Sequence, residues 1–197
     1  MTDTTRIPPT RITGLQGALI RRFSTKLLGE VPESLGVMWH HKPALMASLS
    51  LGRKSQSWDA CDPQLKSLAH MATAATVGCS FCLDLGYFQA RNEKLDLDKA
   101  REVPRWREST LFTPLERDVL AYAEAMTATP PTVTDELSAR LLEALGAPGL
   151  VEVTAIIAME NMMARSNVAM GIRSQGFAEA CGLRPLAEPS GVVPSTA

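Results

Sequence analysis

Helix punctuation is the feature that most constrains this chain. Start and stop signals recur along it, and strand signals are nearly absent between them. In "TGLQGALIRRFSTKLLG", Leu15, Leu19 (with Ile20), Phe23 and Leu27 form a helical stripe ending at Gly29. Pro43 opens a short helix bracketed by Leu45, Leu49 and Gly52. Asp62 and Pro63 read as an N-cap and first helical position, and Leu65, Leu68, Ala69, Ala72 and Ala75 behind them share one buried face. Gly78 interrupts that helix and launches another over about 80–92. Thr113, Pro114 and Glu116 read as a capping box, and a helix runs from a Thr134 cap to Gly146. The longest element starts near Pro148 and continues to about Arg173. The expected fold is all-α, with some seven helices and short connections.

With 197 residues, 45% hydrophobic and 21% charged, the chain is expected to be one globular domain over 1–186. The tail from 187 to 197 lacks core-forming residues and is expected to be flexible. A net charge of −1 leaves no electrostatic footprint for nucleic acid or an anionic membrane. Within the first 26 residues Arg6, Arg11, Arg21, Arg22 and Lys26 face only Asp3, a cluster that fits a solvated or subunit-contacting face. The N-terminus opens polar rather than with an apolar signal core. The most apolar segment, "LVEVTAIIAMENMM", is cut by Glu152 and Glu160 and is too short to span a bilayer. A cytoplasmic protein with no membrane partner is the expectation.

"GCSFC" concentrates the thiol chemistry. Cys79 and Cys82 stand three apart at a helix start, where free N–H groups and the helix dipole stabilise a thiolate. The spacing brings both sulfurs to one face, so a lowered thiol pKa gives a nucleophile and the second thiol can resolve what the first forms. Redox work, a metal site and an inert structural pair are the three readings of such a motif. A metal would need two more ligands. Cys61 and Cys181 are isolated, and His40, His41 and His70 lie at no ligand spacing from the pair, so no metal is expected. The glycines form no dinucleotide fingerprint, and no other cofactor is expected.

"LDPxLxxL…GCxxC"-type spacing here reads "CDPQLKSLAH…GCSFC". Together with "WRESTLFTPLERDVLAYAEAMT" and the later "EN…R.N" helix, it resembles the carboxymuconolactone decarboxylase-like family, which includes the alkylhydroperoxidase D proteins. The resemblance covers about 33–177. It implies an all-α alkylhydroperoxidase D-like helical bundle that forms homo-oligomers (trimer, hexamer or dimer). It also implies a dithiol oxidoreductase that reduces peroxides or a partner disulfide at the expense of a thiol electron donor. Cys82 would attack and Cys79 resolve. The family's redox pattern has a glutamate twelve residues before the first cysteine and a histidine four after the second. Here those positions hold Ser67 and Gly86. That departure favours the alternative of a non-catalytic, homo-oligomeric member whose cysteines serve structure or binding. A decarboxylase or isomerase reading has no identifiable acid–base set.

Two residues are candidates to replace the missing relay. His70 lies off the apolar stripe of the Asp62-capped helix and could accept a thiol proton, although a solvent or subunit contact is the simpler reading. Glu160 interrupts an Ala/Met/Ile helix. It suits an inter-helix salt bridge first and a pocket base second, with Arg165 poorly spaced to pair with it. Asp84 is expected to point away from Cys82 as a first-turn dipole partner, and Trp106 and the Met159, Met162, Met163 and Met170 run to serve packing.

Overall fold

A computed structural model describes residues 5–188. Its helices are α1 (Gly14–Leu28), α2 (Glu33–Met38), α3 (Lys42–Ser55), α4 (Pro63–Val77), α5 (Ser80–Asn92), α6 (Leu97–Glu102), α7 (Pro114–Thr127), α8 (Asp135–Met170) and α9 (Phe177–Ala180). The fold is the expected all-α helical bundle. Three short helices, α2, α6 and α9, exceed the sequence expectation because four to six residues are too few to show a helical period.

The caps explain most of the boundaries. Asp62 Oδ1 accepts from the N–H groups of Gln64 and Leu65 at the start of α4. Thr113 and Glu116 form a reciprocal capping box on α7. Thr134 Oγ1 accepts from Leu137 N–H to open α8. Gly146, at φ +66°, kinks α8 where the sequence suggested one helix ending and another beginning, and α8 closes at Met170 on a left-handed Gly171.

Helix α4 sits at the centre, packed on α5, α7 and α8. Its burial therefore extends beyond one stripe: Met71, Thr73 and Ala74 are enclosed along with Leu65, Leu68, Ala69 and Ala72. The main core joins these to Val119, Leu120, Ala123, Leu141, Val153 and Ile157. A second cluster gathers Cys79, Phe81, Cys82, Phe88, Ala164, Ile172 and Phe177 around the cysteine pair. Trp106 belongs to the main core and donates its indole N–H to Glu124, which fits its expected packing role.

Helix α8 is long and apolar enough to cross a membrane by length and composition. Its Glu152, Glu160 and Asn167 nevertheless turn into the protein, and Glu152 pairs with Lys66 on α4 at 2.9 Å.

The apolar stripe of α1 is uncovered in the single chain, from 89% exposed at Leu15 to 49% at Leu27, because α1 meets the body chiefly through Gly17 against Ile12 and Trp39. The tail expected to be flexible from 187 lies outside the described residues except for Ala187 and Glu188. Ala187 is buried and donates its N–H to the Arg101 carbonyl, so the chain is still docked there.

Candidate functional site

Gly78 sets up the site. At φ +78° it ends α4 in the left-handed region, and the N–H of Cys79 returns to the Ala74 carbonyl at 2.9 Å. The chain therefore turns from α4 into α5 within two residues, which makes Cys79 the N-cap of α5. Its Sγ accepts the Cys82 backbone N–H at 3.2 Å. Both thiols are free and buried, Cys79 at 1% exposure and Cys82 at 4%.

Helices α4 and α8 supply the groups behind the pair. Glu160 and Asn167, seven residues apart on α8, lie two turns apart on one face. Asn167 donates its side-chain N–H to Cys82 Sγ at 3.3 Å. Glu160 is buried and pairs with His70 of α4, Nδ1 to Oε2 at 3.2 Å. The structure thus brings Cys79, Cys82, His70 and Glu160 into one cluster. The His70 side chain faces Glu160 and α5 and is 28% exposed.

Gly86 explains how the ring fits. A Cβ at Gly86 would stand 3.0 Å from His70 Cδ2 and 3.0 Å from Met71 Cγ. The imidazole of α4 occupies the space into which a side chain at 86 would project. Ser67, where the family pattern has its glutamate, is half-buried on α4, and the carboxylate of the cluster comes from α8 instead.

Protonation follows from these contacts. The hydrogen bond from the Cys82 thiol, helped by the Cys82 backbone N–H, pulls the Cys79 thiol below its ordinary value against the effect of burial. Donating that bond, being buried and facing the Glu160 charge push the Cys82 thiol up, so Cys82 is the more tightly protonated of the two. Burial pushes the Glu160 carboxyl up, with His70 and the Cys82 thiol pulling the other way. His70 Nε2 and Glu160 Oε1 are buried with no hydrogen-bond partner among the described residues. Buried polar atoms without a hydrogen-bond partner are uncommon in folded proteins, and Gln64 Nε2 and Glu152 Oε1 share that state away from the cysteines.

Asp84 corrects an expectation. It points away from Cys82 as expected, but it is a buried anchor for a distant segment rather than a first-turn dipole partner. Its carboxylate accepts from the Ser174 hydroxyl at 2.6 Å and from the N–H groups of Gly176, Phe177 and Ala178 at 2.9–3.0 Å. Arg165 bonds the Thr127 carbonyl, clear of Glu160. Asn167 is the member that sequence reasoning did not assign. Its signal was the seven-residue interval from Glu160, which only the position of α5 turns into a contact. Among the described residues no group of three or more His, Cys, Asp or Glu side chains is placed to hold a metal ion.

A helical bundle with a cysteine pair capping one helix and a carboxylate–imidazole pair behind it defines a thiol-redox-capable protein. The family model for the carboxymuconolactone decarboxylase family matches residues 43–125. The uncharacterized protein YnjA of Escherichia coli (strain K12) is 38% identical over 132 residues, spanning 67% of this chain and 72% of that protein. The chain belongs to the carboxymuconolactone decarboxylase family. Solved structures share the fold. The debrominase Bmp8, in a cysteine-to-alanine form with 2,3,4-tribromopyrrole, superposes with a TM-score of 0.77 at 21% identity, covering 89% of this chain and 95% of that one. An uncharacterized peroxidase-related protein from Silicibacter sp. TM1040 gives 0.76 at 15% identity, over 93% and 98%. An uncharacterized peroxidase-related protein from Ralstonia eutropha JMP134, described as an alkylhydroperoxidase AhpD core, gives 0.74 at 19% identity, over 90% and 96%.

Proposed function

We propose that this protein is a dithiol oxidoreductase that reduces a peroxide, or a partner's disulfide, through Cys79 and Cys82. One observation carries the reading: the buried Glu160–His70 pair, built from α8 and α4, stands behind the cysteine pair at the start of α5. In this chemistry Glu160 takes the Cys82 thiol proton. The Cys82 sulfur then attacks a peroxide oxygen, so an S–O bond forms as the O–O bond breaks. The proton held by Glu160 goes to the departing alkoxide, giving an alcohol. Cys79, the more acidic thiol, attacks the Cys82 sulfenic acid. The S–S bond forms, the S–O bond breaks, and hydroxide leaves as water with the Cys79 proton. An external dithiol reduces the disulfide and closes the cycle. For a partner disulfide, Cys82 attacks sulfur instead of oxygen and the same resolution follows.

Single-cysteine variants treated with one equivalent of cumene hydroperoxide and trapped with dimedone test this. Cys79→Ser should give a trapped sulfenic acid on Cys82, Cys82→Ser should give none, and the unmodified chain should give a 79–82 disulfide reversed by dithiothreitol. If neither adduct nor disulfide forms, the cysteines serve structure or binding. A parallel incubation with 2,3,4-tribromopyrrole and dithiothreitol covers the chemistry named for Bmp8. Loss of bromide without peroxide turnover would move the reading from O–O to C–Br cleavage.

A further inference from the structure

Asn167 is an amide enclosed in the apolar cluster around the cysteines, 3% exposed, and a buried amide is costly unless it is well paired. Its backbone is fixed: its carbonyl accepts the Ile172 N–H at 2.9 Å in the Gly171 turn that closes α8. Its side-chain N–H is therefore held on Cys82 Sγ at 3.3 Å. A neutral thiol is a weak acceptor, whereas a thiolate is a charged one and binds an N–H much more strongly. The contact thus gains most when the sulfur is anionic. The other asparagine of this helix region, Asn161, is committed elsewhere, donating to Thr127 Oγ1 and the Ile157 carbonyl.

We propose that Asn167 is the thiolate-stabilising donor of the site, holding on Cys82 the negative charge left when Glu160 takes the thiol proton. The step moves one proton from Cys82 Sγ to the Glu160 carboxylate and no electrons. The charge passes from a carboxylate paired with His70 to a sulfur paired with Asn167. Cys79 is served chiefly by the Cys82 thiol and backbone N–H, with Asn167 a lesser contributor there. The direct Asn167 contact is to Cys82 Sγ, and Asn167 is the donor side chain that can be replaced without touching either cysteine. This assignment rests on the reading of Cys82 as the attacking thiol.

The test is the pH profile of iodoacetamide labelling at each cysteine, resolved by peptide mass spectrometry, in the reduced full-length chain. Asn167→Leu, nearly isosteric without the donor, should move the Cys82 inflection up by about one pH unit and slow its labelling about tenfold at pH 7. The Cys79 inflection, to which Asn167 contributes less, should move clearly less than that of Cys82, which separates lost stabilisation from general loosening. Asn167→Asp, isosteric and carrying an acceptor, should move Cys82 further up, and it decides the question if the leucine variant fails to fold. An unchanged Cys82 profile in a folded variant, or equal shifts at both cysteines, overturns the proposal. Dimedone trapping in the Cys79→Ser background separates the two readings. Trapping on Cys82 with no Asn167 effect sinks this inference alone. An Asn167 shift without trapping sinks the attacking role of Cys82 and leaves the donor assignment standing.

Discussion

A Cβ built on Gly86 would press on both His70 and Met71, at separations tighter than most real Cβ contacts allow. The family pattern that the sequence resembles has a histidine at 86, and here the His70 ring of α4 fills the space that a side chain at 86 would take. The carboxylate facing that ring is Glu160 of α8, while position 67 holds Ser67. The cysteine pair was legible because its chemistry is carried by local spacing. The pairing of His70 with Gly86 was not, since it depends on how α4 and α5 cross. Gly86→Ala should displace the ring by a few tenths of an ångström and lower peroxide turnover about tenfold, given how steeply rate depends on placement. Gly86→His alone cannot seat a second ring and should be slower still. His70→Ala should cost about 10²-fold if the ring serves a positioned proton acceptor. His70→Ala combined with Gly86→His should recover part of that loss in a steady-state peroxidase assay with dithiothreitol. Recovery no better than His70→Ala alone would show that the two positions do not share one space.

At the scale of elements, the local signals held where they were local. The Asp62 and Thr113 caps, the Gly78 break and the 80–92 helix are set by residues within a turn of each boundary. Asp84 shows the limit. Helical spacing turns it away from Cys82, but nothing near it in sequence reveals that it fastens a segment ninety residues later onto α5. Replacing it by alanine leaves the Phe177 and Ala178 N–H groups and the Ser174 hydroxyl without their acceptor, and the Gly176 N–H with Ser174 Oγ alone. Asp84→Ala should therefore destabilise the fold by about 3 kcal/mol, read as a lowered urea midpoint with α9 losing amide-exchange protection first. Glu160 gives α8 an opposite, pH-dependent signature. Burial raises its carboxyl, so the folded chain keeps a proton that the unfolded chain releases near pH ~4.3. Stability from this group is present below that ordinary value and is lost as pH rises through the folded value. Urea midpoints of the unmodified chain should accordingly fall relative to Glu160→Gln as pH is raised from about 4.5 to 8. A constant difference between the two across that range would mean that Glu160 is ionised in the fold throughout.

On the scale of the whole molecule, α1 is the element whose role the sequence left most open. Its stripe was legible as a helix, but its exposure was not, because that depends on which faces the chain's own packing reaches. Leu15, Leu19, Phe23 and Leu27 stand exposed along one side, while Arg21 is turned back to the Ile12 carbonyl. Val151 and Met162 are exposed on α8 as well, 69% and 47%. Fully burying a leucine or phenylalanine side chain is worth about 1.5–3 kcal/mol, so the four α1 residues offer roughly 6–12 kcal/mol. Association costs about 4–15 kcal/mol before any contact gain shows. The α1 stripe alone is thus marginal, and a stable contact needs the α8 patch too. A second copy of the chain, which presents both surfaces, can meet that need where a single isolated groove cannot. The expected outcome is a homo-oligomer, with light scattering at micromolar concentration giving a multiple of the 21.3 kDa chain mass. Leu19→Lys with Phe23→Lys should reduce that mass to the monomer while leaving helix content and the Cys82 labelling profile intact, because neither side chain reaches the core. Val151→Lys should do the same from the other surface. A clean monomer before any substitution would show that α1 meets a different partner, and an oligomer that survives all three would place the contact elsewhere on the bundle.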